Sequence, residues 1–316
     1  MVRFNYKLAL KWVIAFAIFV FLGKMVWDHW SQVRDTPFTL RAFPLILSTL
    51  IFASSYFIQV WAWYLITLKL KIAVSFPETT KSWFYSQLGK YLPGKIWLLL
   101  GRIYSYESRG KPKKLISVAL YFEMITVVIA GGMIFLASLV LVRETRYLYS
   151  GKQLWWLVPV FILSFASIHP QVLQKIMNWV LILFRREPIS LSASYSDILW
   201  ILIVCIVAWL VGGLGFYLFV DSIYPMALQS ILFLTGALAI SSTLGLIAIF
   251  APSGLGVREG ALVFLLSFVM ATPVAVILSI LTRIWMTLIE IGLIGMIYLF
   301  EQLQRQEKKK TCGEAS

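Results

Sequence analysis

The chain has 316 residues, 60% of them hydrophobic and 13% charged, with a formal net charge of +14. A soluble core of this length cannot use that much apolar surface. Most basic residues lie in short stretches between apolar runs, which assigns them to membrane topology and anionic lipid and excludes nucleic acid as the partner.

Uncharged runs cover residues 42–68, 115–122, 124–142, 198–220, 222–257 and 260–282. Crossing a hydrocarbon core of about 30 Å takes about 20 helical residues. Helix is the only open-ended structure that satisfies its own backbone in lipid. The expected fold class is therefore an all-α polytopic membrane protein, a single domain over 1–316 with about six full spans.

In chain order, the first span is placed at 8–27, where Lys11 and Lys24 and the lack of a small-residue cleavage site read as a retained helix, not a removed leader. Spans follow at 43–66, 115–141, 154–168, 198–220 and 273–300, with a short cytoplasmic tail at 301–316. The stretch 171–184 follows Pro170 with apolar residues at helical spacing, and stays open between an interfacial helix and part of a span. Thirteen tryptophans and fourteen tyrosines suit either headgroup belts or helix packing. Cys205 sits inside an apolar run and Cys312 in the tail, so neither a disulfide framework nor a cysteine metal site is expected.

Basic residues set the orientation. Arg3, Lys7 and Lys11 at the N-terminus, the lysines and arginines of 69–114, and Arg305 with Lys308, Lys309 and Lys310 in the tail should all be cytoplasmic. The loops near 28–41 and 143–153 should face outward, which places both termini inside a cell (inner or plasma) membrane.

Two segments fit poorly as simple spans. The first, 83–101, lies between two basic stretches that both belong inside, so a re-entrant hairpin turning at Pro93 and Gly94 is expected. The second, 224–270, is interrupted by Pro252, Gly254, Gly256, Arg258 and Glu259, and an outward-entering hairpin is expected there. Irregular backbone is tolerated at membrane depth only where it lines a cavity or is buried in protein. Two such segments entering from opposite sides are what an inverted-repeat transporter would show. Similarity between them is confined to Leu-Pro-Gly-Lys at 92–95 against Ala-Pro-Ser-Gly at 251–254, so a chance match stays open.

Charges within apolar surroundings are Lys90, Lys95, Arg102, Arg258 and Arg283 against Glu123, Glu259 and Glu290, five cations to three anions. Each costs roughly 3 kcal/mol on insertion scales, so they pair or face water. The positive surplus suits a phosphate or other anionic headgroup, which Lys95, Arg102, Arg258 and Arg283 would bind. Glu123, Glu259 and Glu290 would pair with those cations or couple to a proton, and Glu123 could partner Arg102, Arg258 or Arg283. Arg258 and Glu259 point about 100° apart on a helix and so should reach different partners. Arg283 and Glu290, seven residues apart, share one face.

Gly94, Gly101, Gly254 and Gly256, with Pro93 and Pro252, would form backbone turns or let the backbone approach an anion. For Gly131, Gly132, Gly212, Gly213 and Gly215, helix packing is the better reading. His29 and His169 are isolated, and no nucleotide, zinc or dinucleotide motif occurs. No catalytic residue, metal or cofactor is therefore expected.

The stretch Gln87-Leu-Gly-Lys-Tyr-Leu-Pro-Gly-Lys-Ile-Trp-Leu-Leu-Leu-Gly-Arg102, the Glu123 helix, Ala251-Pro-Ser-Gly-Leu-Gly-Val-Arg-Glu-Gly260 and the Arg283 helix resemble, in the same order, the transmembrane region of lysylphosphatidylglycerol synthase/flippase proteins. The resemblance implies a lipid-translocating membrane domain with broken helices around a central cavity. Members that synthesise aminoacylated lipid carry a soluble aminoacyltransferase domain after the membrane part. The chain given ends at Ser316, so a stand-alone member without synthase activity is expected. Ser253 stands where Pro-Gly-Gly is commoner in that family. Relatives lacking the synthase domain are linked to several lipids, polyprenyl-phosphate glycans and hopanoids among them, so the substrate does not transfer.

The expectation is a flippase moving an anionic lipid, either a phospholipid or a polyprenyl-phosphate-linked glycan, between leaflets. The alternatives are an integral-membrane transferase acting on a lipid-linked substrate and an accessory partner of a lipid-biosynthesis enzyme.

Overall fold

The computed structural model describes residues 38–91, 96–141, 170–183, 194–248 and 254–313, with Lys24, Trp27 and Pro159 as isolated positions. Among these residues all regular structure is helical, and five helices are long and apolar enough to cross a membrane, as expected of an all-α polytopic membrane protein. The expected spans 8–27 and 154–168, and Pro93, Gly94, Lys95, Pro252 and Ser253, lie outside the described residues.

Helix α1 (Ala42–Lys69) keeps its single charge for the last turn, where the carbonyl ends of the helix favour a cation. Helix α2 (Phe76–Gln87) has Pro77 in its first turn, where proline's missing N–H costs nothing. A 3-10 turn (Leu88–Tyr91) precedes α3 (Ile96–Glu107). A Cβ at Gly89 would lie 2.4 Å from the Leu98 backbone nitrogen, so α3 doubles back against the end of α2. Each helix has 12 residues, about 18 Å, too short to cross.

Helix α4 (Lys113–Leu141) is long and apolar enough to span. Helix α5 (Pro170–Leu183) follows the stretch outside the description and leaves Val172, Trp179 and Ile182 exposed. Helix α6 (Tyr195–Ile223) opens with a reciprocal cap. The Asp197 N–H donates to Ser194 Oγ at 3.3 Å, and the Ser194 N–H donates to Asp197 Oδ2 at 3.0 Å. Its interface with α1 is the most extensive among the described helices. Gly212 and Gly215 on one α6 face admit Ser55 and Phe52 of α1, and a Cβ at Gly215 would stand 2.9 Å from the Phe52 backbone nitrogen. Small residues at such spacing let two backbones approach where lipid supplies no hydrophobic drive.

In the segment 224–270 the sequence leaves open whether 224–250 crosses fully, and the two limbs differ in length. The first limb, α7 (Ile231–Ile247), forms with the preceding turn a 20-residue helical run of spanning length. Only the second limb, α8 (Val257–Leu266), is short. The last helix, α9 (Thr272–Gly313), continues through the expected tail, because nothing between 301 and 313 breaks helical backbone and Glu301 is anchored to α2.

Ion pairs fix which ends lie together. Arg41 meets Asp221 at 2.5 Å at one end of the molecule, and Lys69 meets Asp197 at 2.6 Å at the other, so α1 and α6 run antiparallel. Lys81 pairs with Glu301 at 2.8 Å, and Tyr85 donates to the same carboxylate at 3.0 Å. The entry of α2 and the far part of α9 therefore share a side.

Candidate functional site

Helix α9 serves as a ruler for depth. Eleven residues in from Thr272, about 16 Å at the helical rise, Arg283 lies 3.4 Å from Glu259 of α8. One turn further on, Met286 meets Arg258. Glu290 pairs with Lys90 of the 3-10 turn, again about 16 Å from Glu301, where α2 enters. The two broken segments thus approach from opposite ends of α9 and meet along the stretch between Arg283 and Glu290.

A cavity of about 660 Å³ lies where they meet. Its described charged lining is Lys90, Arg258, Arg283 and Glu290, three cations to one carboxylate. Gln59, Gln87, Ser242 and Thr243 add neutral polar groups, while Trp83 and Trp209 supply aromatic walls. Among the described residues Arg258 has no ion pair, and its guanidinium rests on the Met286 thioether. Glu259 is occupied elsewhere. It accepts from the Gly256 N–H at 2.7 Å as a cap of α8 and turns its other oxygen towards Arg283. Adjacent residues Arg258 and Glu259 thus serve the cavity and the frame respectively, as their 100° separation requires.

Arg102 lies outside the cavity lining. It is 1% exposed, paired with Glu123 at 2.5 Å and bonded to Ser86 Oγ at 3.2 Å. Its guanidinium carbon sits 4.6 Å above the Trp63 ring and 5.6 Å from that of Trp83. Trp83 also donates to Glu123 at 3.0 Å. This cluster ties α1, α2, α3 and α4 together behind the cavity wall. Of the three partners open to Glu123, the fold selects Arg102, whose Nε and Nη1 are engaged by Ser86 and Glu123, so this arginine sits in a packed cluster away from the cavity lining.

The glycines divide. Gly254 and Gly256 have φ of +69° and +83°, which L side chains rarely adopt, and a Cβ at Gly254 would stand 2.5 Å from the Gly245 carbonyl oxygen. Both are turn residues. Gly101 is not, because it lies within α3 and packs on Ser86, whose Cα would be 3.6 Å from an added Cβ. Gly131, Gly212, Gly213 and Gly215 meet Thr243, Ser55, Thr235 and Phe52 in helix packing, whereas Gly132 faces open space.

Lys90 was visible as a charge in apolar surroundings, but sequence reasoning did not assign it to the site. Gln59, Gln87, Ser242 and Thr243 were also missed. The signal for the glutamines was an uncharged polar group within a largely apolar run, since such groups seek partners inside the protein. Compared with protein-family models, with curated proteins and with solved structures, the chain matches none of them.

Proposed function

We propose that the protein is a lipid flippase or transporter that moves an anionic lipid between leaflets, with the headgroup passing through the cavity between the two broken segments. The observation that carries this reading is Arg258, a cation with no ion pair among the described residues, in a cavity whose described lining holds three cations and one carboxylate. Holding such a charge at membrane depth is costly, and a phosphate engaged by an arginine offsets the cost.

The cavity's size lies within the range of ligand sites, about 300–1,000 Å³. It has room for a headgroup, and the tails stay in lipid. Leu99, Met124 and Leu246 line the cavity and are exposed, at 38%, 37% and 37%. In this reading they form an apolar edge along which the lipid tails stay in the bilayer. In this reading Arg258, Arg283 and Lys90 attract the phosphate. Glu259 and Glu290 hold the latter two in place, and movement is downhill or ion-coupled. The resemblance to lysylphosphatidylglycerol synthase/flippase membrane regions points the same way. The membrane is a cell membrane, and the basic ends of α1 and α9 face the cytoplasm.

The test is a leaflet-exchange assay in vesicles reconstituted with the full chain and a panel of labelled lipids. Protein-dependent exchange of phosphatidylglycerol or a polyprenyl phosphate, but not of phosphatidylcholine, is the expected result. Chemical conversion of the lipid without exchange would replace the transporter with a membrane transferase, and neither outcome would leave an accessory role.

A further inference from the structure

We infer that Glu290 is a partner-switching carboxylate, exchanging Lys90 for Arg258, so that an anionic headgroup arriving at Arg258 drives Glu290 onto Lys90 and closes the first broken segment against α9. The inference rests on the anionic-lipid reading above and adds how capture of the headgroup is coupled to closure of its site.

The first broken segment is fastened to α9 by polar contacts. Lys81 and Tyr85 reach Glu301 at 2.8 and 3.0 Å, and Lys90 reaches Glu290. Of these residues only Lys90 and Glu290 line the cavity. Lys90 sits in the 3-10 turn, whose poorer hydrogen-bond geometry yields more easily than that of an α-helix. Its side chain is 27% exposed, whereas that of Glu290, carried on α9, is 1% exposed. The lysine is therefore the partner that can move.

A second cation lies within reach of the same carboxylate. Arg258 rests on Met286, four residues before Glu290 and so about 6 Å away along the same face of α9. The charge of Glu290 acts on both Lys90 and Arg258, and Arg283 repels both. Arg283 is itself committed to Glu259 at 3.4 Å. Lys90 and Arg258 thus compete for Glu290, and the structure shows the carboxylate with Lys90.

Exchange between the two cations avoids the cost of a lone buried carboxylate, because Glu290 keeps a positive partner in either position. A phosphate at Arg258 removes that freedom, since a second anion beside it is repelled. Each bound headgroup then favours the Lys90–Glu290 pair, and by linkage the closed pair favours the headgroup equally. Lys90 and Glu290 are positioning residues in this scheme, and Arg258 is the group that meets the ligand.

The test is a distance measurement by electron paramagnetic resonance on the full chain in detergent. Nitroxides are placed on cysteines at the exposed Leu88 of the turn and Leu299 of α9, in a Cys205→Ala, Cys312→Ser background. Without lipid the wild type should show a short and a long distance, and short-chain phosphatidylglycerol should raise the ratio of short to long about tenfold. Arg258→Gln, which leaves Glu290 without its second cation, should show the short distance alone with no response to lipid, and Arg258→Lys should restore both. Glu290→Gln should favour the long distance and not respond. A single distance in the unliganded wild type, or both distances persisting in Arg258→Gln, overturns the switch and leaves the lipid reading standing. So does phosphatidylglycerol that binds saturably without moving the ratio. Soluble glycerol 3-phosphate producing the same shift supports the switch while removing the lipid as the source of the anion. Absence of saturable binding by either ligand overturns the lipid reading and the trigger together, and the exchange of partners then stands or falls on the unliganded comparison of the wild type with Arg258→Gln.

Discussion

Lys90 and Glu290, 200 residues apart in the chain, form an ion pair at the cavity wall. The pair joins the turn that ends α2 to α9, so the first broken segment is held to the helix that also receives the second. Glu290 is 1% exposed and cannot lose its cation cheaply.

Removing one partner of a buried pair strands the other charge, at about 3 kcal/mol. Lys90→Met should lower the thermal unfolding midpoint of the detergent-solubilised protein, and adding Glu290→Gln should recover most of the loss. Additive losses in the double variant would show that the two residues do not interact.

Arg102 should behave as a fold residue. Arg102→Lys loses the Ser86 bond and the planar stacking on Trp63 and Trp83, because an ammonium is a point charge without the guanidinium plane. A stability loss of about 2 kcal/mol is expected, with lipid exchange per folded molecule close to wild type. Wild-type stability with lost exchange would return Arg102 to the headgroup path.

Gly254→Ala forces a Cβ onto the Gly245 carbonyl at positive φ and should cost about 2 kcal/mol or more. Gly132→Ala, which meets nothing within 4 Å inside a helix, should be neutral or stabilising. Unfolding midpoints of the two variants check the contrast, and equal effects would mean that the turn at Gly254 is not formed.

The side assignments are open to labelling. Cysteines at Lys81 and Lys113 should react with a membrane-impermeant thiol reagent from one side, and a cysteine at the exposed Ala227 from the other. Opposite labelling of Lys81 and Lys113 would mean that the α2–α3 segment crosses completely.

Much of this architecture was legible in the sequence because membrane spans are read from length and lack of charge. The spans placed at 43–66, 198–220 and 273–300 mark the starts of helices α1, α6 and α9 within a few residues. The interruption at Gly254 and Gly256 was legible because glycine clusters in an apolar run signal a backbone that is not helical. Partner choice was not. Arg102 and Arg258 look alike in sequence, each near glycine in an apolar stretch. Only packing gives Arg102 the carboxylate of Glu123 and leaves Arg258 beside a thioether. The second segment's long first limb was hidden because an uncharged run that continues past a break offers no mark of depth.

The central claim is that Arg258 draws an anionic headgroup through the cavity. Its most direct test is leaflet exchange of phosphatidylglycerol in vesicles carrying wild-type protein or Arg258→Gln, with folded protein matched between the two by thermal unfolding. The account predicts exchange by the wild type and a loss of at least tenfold in the variant at unchanged stability, since a charge-assisted contact is worth about 1.5–3 kcal/mol. Exchange by Arg258→Gln at the wild-type rate would contradict it.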